Sequence, residues 1–428
     1  MSRIFSTASF LFPAALLPAA LLPALLLACS DSSDSSQTQS ALQPGARRAT
    51  WAVSPQDYSE TFPGGAFPAP MPQTFANQSL RQIVHVSVGG SSPRVHLSNL
   101  FGTTPLVLGG VHLALAGAGS TIVAGTDTEL RFGGQASVTI PPGQELWSDP
   151  GTLELPSAAD VAITLFIPGS ASVSTVHSVA QQTEFVTGGN ALSAASFDNP
   201  ETRTSNYWLT GLDVTAPAAG GVIVTFGDSI TDGVGSTSDA NHRYPNYLAE
   251  RLRADASLAG FGVADEGISG NRILHDVAGP NALGRFRRDV LGQTGASHVI
   301  ILIGINDLGF SGLVPAEAVT AEDVTGGLST LISQAKGGGL HVSLATLTPL
   351  KGTMAPYYGD QTEALRGAIN TWIRSTADVD AVIDFDRAVQ SSADPLAMNP
   401  DFDSSDHLHP NDAGYQAMAN AIDLSVFR

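Results

Sequence analysis

The stretch VIVTFGDSIT at residues 222–231 decides the fold of the C-terminal half. Its first five residues form a nearly continuous apolar run, which is typical of a strand buried on both faces of a parallel sheet. Ser229 follows this run within Gly227-Asp228-Ser229. Open α/β sheets hold their ligands outside the carboxyl ends of the strands, so this serine is predicted to lie where such a sheet binds a ligand.

Apolar runs and amphipathic helical segments alternate along the rest of the C-terminal half. Strands are predicted at 222–226, 262–265, 299–303, 342–347 and 381–383. Helices are predicted at 244–258, 282–291, 324–336, 362–374 and after Pro410. Because five strands separated by helices indicate a parallel sheet covered on both faces, residues 218–428 are predicted to form a flavodoxin-like, doubly wound α/β domain.

Residues 49–217 have a different pattern. Short stretches such as 82–88, 94–98 and 162–167 alternate apolar and polar residues, and Gly and Pro interrupt the chain at short intervals. Many short strands with frequent turns predict an all-β sandwich or jelly roll. The Pro-, Ala- and Gly-rich segment 215–221 marks the predicted boundary between the two domains.

The N-terminus predicts export. Residues 1–28, the predicted signal, contain one early arginine and a long apolar stretch and end in Leu-Leu-Ala. Cys29, the only cysteine in the chain, follows directly. This pattern resembles a bacterial lipoprotein signal with lipid attached to Cys29, and an ordinary secretory signal or a permanent membrane anchor is the alternative. Ser30 favours the outer membrane, and residues 29–48 are predicted to be a flexible tether.

Composition excludes one class of partner. Acidic residues outnumber basic ones 39 to 20, which gives a net charge of −19. Nucleic acid binding needs clustered cations, so nucleic acid is not expected as a partner. We attribute the acidity to solubility.

A second motif lies near the C-terminus, where Asp406 precedes His409 by three residues. An imidazole base oriented by a carboxylate can activate a serine hydroxyl, so the two are candidates for a triad with Ser229. His407 is the competitor for the role of base. Together with Asp403, these side chains could instead bind a metal, an alternative that we consider weaker. The β-domain histidines, His177 among them, are predicted to be structural.

The C-terminal half resembles the SGNH (GDSL-type) hydrolase superfamily over residues 221–428. The four residues that name the superfamily match Ser229, Gly270, Asn306 and His409, in family order. The preceding β-domain, which opens with TWAVSPQ at 50–56, resembles that of a bacterial esterase branch.

This resemblance implies a serine esterase that needs neither a metal nor an organic cofactor. Ser229 would be the nucleophile, His409 its base and Asp406 the residue that orients the base. The Ser229 and Gly270 N–H groups and the Asn306 side chain would form the oxyanion hole. No Gly-x-Ser-x-Gly element is present, so the sharp nucleophile turn of α/β-hydrolases is not expected.

The resemblance further implies small-molecule or polysaccharide esters as substrates, with short acyl groups favoured and acetylated polysaccharide as a natural example. Aryl or lipid-derived esters are the alternative within the same class. Two other classes stay open at this point: a glycan-binding β-domain with minor catalysis, and a metal-dependent phosphodiesterase.

Overall fold

A computed structural model describes residues 42–61 and 70–428 of the chain. The predicted signal segment, Cys29 and most of the predicted tether lie outside these ranges. No helix within the described ranges is long and apolar enough to cross a membrane.

Antiparallel sheets make up the described part of the N-terminal half. Their strands are β1 (Arg47–Ala52), β2 (Gln56–Asp57), β3 (Thr74–His85), β4 (Ser91–Ser98), β5 (Leu106–Leu108), β6 (Gly110–Leu115), β7 (Thr128–Leu130), β8 (Val138–Ile140), β9 (Glu145–Trp147), β10 (Asp160–Ser172), β11 (Thr175–His177), β12 (Glu184–Gly188), β13 (Glu201–Arg203), β14 (Asn206–Tyr207) and β15 (Leu209–Thr215). The two largest sheets have the strand orders β1-β15-β4-β9 and β13-β12-β3-β10-β6-β7.

One apolar core joins these two sheets. Val95 and Leu212 come from the four-stranded sheet, whereas Leu80 and Ile163 come from the six-stranded sheet, and all four side chains belong to the same buried cluster. Inward-facing residues of two packed antiparallel sheets form the core of a β-sandwich, as the alternating pattern predicts.

The C-terminal half is an α/β domain. Its strands are β16 (Val222–Gly227), β17 (Gly262–Gly267), β18 (Ala296–Leu302), β19 (His341–Ala345) and β20 (Ala381–Ile383). Its helices are α1 (Ser229–Asp232), α2 (Tyr244–Ala254), α3 (Ala282–Phe286), α4 (Ile305–Leu313), α5 (Ala321–Gly337), α6 (Asp360–Ser375), α7 (Phe385–Val389) and α8 (Asp412–Ala421). A π-helical turn, Arg287–Leu291, continues α3, and short 3₁₀ turns lie at Pro315–Glu317 and Leu424–Phe427.

The five parallel strands lie in the order β17-β16-β18-β19-β20. This is the 2-1-3-4-5 order of flavodoxin-like folds, so the predicted fold class is confirmed. All six residues of β16 are buried, which explains why its sequence is apolar without alternation. The predicted helices have the observed positions to within a few residues, whereas α1, α4 and α7 were not predicted.

The β-sandwich covers the outer edge of the parallel sheet. Ala49 of β1 packs into the α/β core, and its N–H donates to the Thr294 carbonyl at 2.8 Å. The Val263 N–H of edge strand β17 donates to Ser87 Oγ at 2.9 Å. Because an uncovered edge strand exposes unpaired backbone groups, this contact gives β17 partners from the sandwich.

The last residues of the predicted tether contact the folded body. Strand β1 begins at Arg47, and the Gly45 N–H donates to the Ala216 carbonyl at 2.8 Å. The Arg48 guanidinium is buried and donates to the Ala218 carbonyl at 2.6 Å. Among the described residues, contacts with the folded body are thus already made before residue 49.

Candidate active site

Ser229 is the first residue of α1, directly beyond the carboxyl end of β16. Asp228 is the N-cap of this helix, and its Oδ1 accepts a hydrogen bond from the Ile230 N–H at 3.1 Å. The strand and the cap thus fix the backbone on both sides of Ser229. The predicted position of this serine at the ligand-binding edge of the sheet agrees with the structure.

The structure brings Ser229, His409 and Asp406 into one hydrogen-bonded chain. His409 Nε2 lies 2.8 Å from Ser229 Oγ, and His409 Nδ1 lies 2.6 Å from Asp406 Oδ2. Because a carboxylate only accepts, the proton of the neutral ring belongs on Nδ1, which leaves the Nε2 lone pair toward the serine. The arrangement has the geometry of a nucleophile, a base and an orienting acid.

Asp406 is held as a carboxylate by its surroundings. Its Oδ1 accepts hydrogen bonds from the N–H groups of Leu408 and His409 at 2.9 and 2.8 Å. Partial burial raises its pKa, but the hydrogen bonds from the His409 ring and backbone outweigh burial and keep the pKa of Asp406 below its usual range. This side chain therefore stays ionised at neutral pH.

His407 forms a separate pair and does not contact Ser229. Its Nδ1 lies 2.6 Å from Asp403 Oδ2, and its ring is about half exposed. Each imidazole of this loop thus has its own carboxylate. Within the described ranges, no three His, Cys, Asp or Glu side chains are arranged to hold a metal ion.

Gly270 lies in the loop after β17, where its φ of +82° places it in the left-handed region. A Cβ at this position would also come within 3.1 Å of the Ala278 Cβ, so both backbone shape and space favour glycine. Neither the Gly270 N–H nor the Ser229 N–H donates to an acceptor among the described residues. Both donors are therefore available to a ligand.

Asn306 is the second residue of α4 and is buried. Its Nδ2 donates to the Asn271 carbonyl at 3.0 Å, and its Oδ1 accepts a hydrogen bond from the Tyr357 hydroxyl at 2.8 Å. Together these two bonds define which end of the amide is the donor. Tyr357 has no signal in the sequence, because an isolated tyrosine before helix α6 has no pattern that links it to Asn306.

Arg285 is a fully buried cation that organises the same edge of the sheet. Its guanidinium donates to the Gly227 carbonyl at 2.7 Å, to the Glu266 carbonyl at 2.9 Å and to Asn271 Oδ1 at 2.9 Å. The Arg285 side chain thus forms hydrogen bonds with the ends of β16 and β17 and with the residue after Gly270. Arg285, too, had no signal in the sequence.

Residues 225–417 match the GDSL-like lipase/acylhydrolase family. The C-terminal half is a GDSL-like acylhydrolase of the SGNH type. It is therefore a carboxylic ester hydrolase, and the resemblance noted from the sequence is confirmed. No curated protein matches the chain.

Several solved structures are similar to the acylhydrolase half. An acetylxylan esterase from Geobacillus stearothermophilus is 22% identical, with coverage of 47% of this chain and 92% of that chain and a TM-score of 0.37. A GDSL-like lipase from Bacteroides thetaiotaomicron is 19% identical, with coverage of 48% of this chain and 87% of that chain and a TM-score of 0.35. An α/β hydrolase enzyme from the metagenome of Lake Arreo, Spain, is 25% identical, with coverage of 48% and 94% and a TM-score of 0.38.

Two buried carboxyl groups flank the nucleophile of the acylhydrolase half. Burial raises the pKa of Asp228 to about 7 and that of Asp307 to about 6. Asp307 accepts hydrogen bonds from the N–H groups of Ile273 and Leu274, whereas Asp228 Oδ2 is buried without a partner among the described residues. Both side chains support the loops around Ser229 and Gly270.

The β-sandwich reaches the acylhydrolase site through Asp232, the last residue of α1. Asp232 Oδ1 lies 3.1 Å from Nε2 of His177 in β11. Asp232 Oδ2 accepts hydrogen bonds from the N–H and the hydroxyl of Ser269 at 2.9 and 2.6 Å. Ser269 directly precedes Gly270, so one carboxylate links the helix of Ser229, the loop of Gly270 and the other half of the chain.

A cleft of about 260 Å³ opens between the two halves beside Gly270. The β-sandwich half supplies Tyr58 and Val179 to its wall, and the acylhydrolase half supplies Ser269, Val277 and Ala278. The charged side chains among its lining residues are both acidic, Asp57 and Glu60. This cleft suits an uncharged, partly apolar group.

Proposed function

We propose that the protein is a serine esterase that hydrolyses carboxylic esters through an acyl-enzyme, with Ser229 as nucleophile, His409 as base and Asp406 as orienting acid. The observation that supports this most directly is the continuous chain from Ser229 Oγ to His409 at 2.8 Å and on to Asp406 at 2.6 Å. A serine hydroxyl is a weak nucleophile at neutral pH, and a base at this distance removes its proton during attack.

The reaction proceeds in two halves. Ser229 Oγ forms a bond to the ester carbonyl carbon while its proton moves to His409 Nε2. The tetrahedral intermediate collapses, the C–O bond to the alcohol breaks, and His409 returns the proton to the leaving alkoxide. Water then attacks the acyl-enzyme with His409 again as base, which releases the carboxylic acid and restores the Ser229 hydroxyl.

The negative oxygen of each intermediate is bound by the Ser229 and Gly270 N–H groups and by Asn306 Nδ2. The two backbone groups have no acceptor within the described ranges, and Asn306 is held by Tyr357 and Asn271. Such donors act on charge that exists only in the transition state and the intermediate, and one of them is worth about 3–4 kcal/mol. Asn306→Ala is therefore expected to lower kcat more than it raises KM.

Short acyl esters are the proposed substrates, with acetyl groups on a polysaccharide as the natural example. The resemblance to the SGNH superfamily supports this proposal. Aryl and lipid-derived esters are the competing substrates, and a panel of such esters separates the three groups by kcat/KM.

We further propose that the protein is exported and anchored by lipid at Cys29, in the outer membrane. The support is the apolar N-terminal stretch that ends in Leu-Leu-Ala-Cys and the single cysteine of the chain. Mass spectrometry of the N-terminal peptide tests this proposal. A lipid-modified Cys29 supports it, and a mature N-terminus that begins elsewhere refutes it.

The test of the esterase is the hydrolysis of p-nitrophenyl acetate by the full chain and its Ser229→Ala variant, with and without chelator. We expect kcat to fall by at least roughly 10³-fold in the variant, with the thermal unfolding temperature nearly unchanged. Ser329→Ala, on the exposed face of α5, is the matched control. Wild-type turnover by Ser229→Ala would refute the nucleophile, and loss of activity with chelator would refute a metal-independent reaction.

A further inference from the structure

His177 is a buried histidine of the β-sandwich half that points at the other half. It is the last residue of β11, and only 3% of its side chain is exposed. Its Nδ1 lies 3.0 Å from the Ser54 carbonyl oxygen, and its Nε2 lies 3.1 Å from Asp232 Oδ1. The other two His–Asp pairs within the β-sandwich, His85–Asp160 and His112–Asp127, are both more exposed.

Both ring nitrogens of His177 face oxygen atoms that accept hydrogen bonds. A carbonyl oxygen cannot donate, and a carboxylate does not, so a proton on each nitrogen satisfies both contacts. Burial lowers the pKa of His177, but the Asp232 carboxylate outweighs burial and raises it above its ordinary value. The two contacts thus favour a ring that donates to the Ser54 carbonyl and to the Asp232 carboxylate, which gives this buried carboxylate a hydrogen-bond partner from the other half of the chain.

Asp232 passes this interaction on to the acylhydrolase site. It is the last residue of the four-residue helix that begins with Ser229, so the contacts of its carboxylate help to hold the short element that carries the nucleophile. Its second oxygen holds the N–H and the hydroxyl of Ser269, one residue before Gly270. The distance between Ser229 and the Gly270 N–H thus depends on the Asp232 carboxylate. This carboxylate has three hydrogen-bond partners: the His177 ring, the Ser269 N–H and the Ser269 hydroxyl.

We propose that His177 is a positioning residue for ester hydrolysis, which acts through Asp232 on both Ser229 and the Gly270 loop. The β-sandwich is then part of the catalytic unit and not a separable binding module. This proposal rests on the roles proposed for Ser229 and Gly270. The sequence predicts only a structural role for His177; its partner Asp232 is 55 residues away in the chain.

Removing His177 leaves the Asp232 carboxylate buried with Ser269 as its remaining hydrogen-bond partner among the described residues. An unpaired buried carboxylate takes up water or turns toward another cation, and either change displaces α1 and the loop at Ser269. A displacement of about 1 Å at reacting groups can cost about 10²-fold in rate. The positions of Ser229 and the Gly270 loop affect the rate of hydrolysis of a small ester more than they affect its binding.

The test compares three variants on p-nitrophenyl acetate. We expect His177→Ala to lower kcat by about 10- to 100-fold with KM within about twofold of wild type. His177→Gln retains an N–H that can reach Asp232 and is expected to recover most of kcat. His112→Ala removes another histidine paired with a carboxylate, at 2.9 Å from Asp127, and should leave kcat unchanged.

A double-mutant cycle separates positioning from loss of stability. Ser269→Ala removes one hydrogen bond to the other oxygen of the same Asp232 carboxylate, so its effect on kcat should not add to that of His177→Ala. Wild-type kcat in His177→Ala, or fully additive effects in the double variant, would refute the proposal. Where His177→Ala does not fold, His177→Leu, which fills the space without a hydrogen bond to Asp232, replaces it in the cycle; additive losses, or a KM change without a kcat change, refute the proposal.

The Ser229→Ala measurement keeps this proposal apart from the proposed function. An inactive Ser229→Ala with a fully active His177→Ala would refute only the role of His177. A fully active Ser229→Ala would refute the esterase mechanism itself, whatever the result for His177.

Discussion

The Tyr357 hydroxyl lies 2.8 Å from Oδ1 of Asn306 and donates a hydrogen bond to it. The amide is thereby held with Nδ2 toward the Asn271 carbonyl and the proposed oxyanion position. The Tyr357 ring packs against Gly309 of α4, where a Cβ would come within 2.1 Å of it. The close approach of this ring to the helix depends on that glycine.

Tyr357→Phe should therefore lower kcat without a matching rise in KM. The lost hydrogen bond is worth about 1 kcal/mol, which corresponds to roughly a fivefold fall in kcat. Steady-state kinetics on p-nitrophenyl acetate measures it. Tyr358→Phe, at the neighbouring position, is the control; an equal loss in both variants would contradict a specific role for Tyr357.

Asp406 and Asp403 offer a matched comparison, because each carboxylate accepts from Nδ1 of one histidine at 2.6 Å. Asp406→Asn disturbs the tautomer of the ring that contacts Ser229, so kcat should fall by about 10²- to 10⁴-fold. Asp403→Asn disturbs only His407 and should leave kcat within a few-fold of wild type. A larger loss in Asp403→Asn would make His407 the base.

Asp228 predicts a pH dependence of stability. Burial raises the pKa of its folded form to about 7, above the ordinary value near 3.8, so the folded state holds a proton that the unfolded state has lost. The contribution of Asp228 to the free energy of unfolding is fully present below pH 4 and is lost as pH rises through 7. The total loss is at most about 4 kcal/mol.

Asp228→Asn removes this dependence. The variant should gain thermal stability relative to wild type between pH 5 and pH 8, as measured by unfolding temperatures in the same buffers. Asp323→Asn is the control, because its carboxyl is exposed and its pKa is lowered by the hydrogen bonds from Thr320, so its titration lies below this window. A constant difference between Asp228→Asn and wild type across the range would refute the raised pKa.

The cleft beside Gly270 predicts a role in acyl selection. The leaving alcohol must lie near His409, which returns a proton to it, but no residue of the 403–411 loop lines the cleft. The acyl side of the ester is therefore expected in the cleft. Val179→Trp fills the cleft and should lower kcat/KM for butyrate and hexanoate esters about tenfold relative to acetate.

Val107→Trp is the matched control for Val179→Trp. Val107 lies at an exposed position in β5, where 46% of the residue is accessible to solvent. This variant should keep the wild-type preference among acetate, butyrate and hexanoate esters. An unchanged preference in Val179→Trp as well would place the acyl group elsewhere.

The parallel sheet was predictable because its strands are buried on both faces. Residues 222–227 must be apolar without alternation, and that requirement is visible in the sequence. Ser229, Asp406 and His409 were predictable for a related reason: each lies in a short motif whose spacing follows from local backbone geometry. Asp406 reaches the His409 ring because the two are three residues apart in one loop.

The residues that the sequence did not indicate act over long separations. Arg285 reaches Gly227, Tyr357 reaches Asn306 and His177 reaches Asp232 across 58, 51 and 55 residues. Such pairs depend on the tertiary packing of different elements, and a single sequence has no periodicity that reports them. The cleft has the same origin, because its two walls come from different halves of the chain.

The junction of residues 42–48 with residues 216–220 has a consequence for how the enzyme faces its surroundings. The Leu42 carbonyl accepts a hydrogen bond from the Gly220 N–H, near the amino end of β16, whereas Ser229 follows the carboxyl end of the same strand. Six residues of strand separate these ends by about 20 Å. If the chain is attached to a membrane through its N-terminus, the attachment enters the folded body at the end of β16 opposite to the nucleophile and leaves the Ser229 end of the sheet free of it.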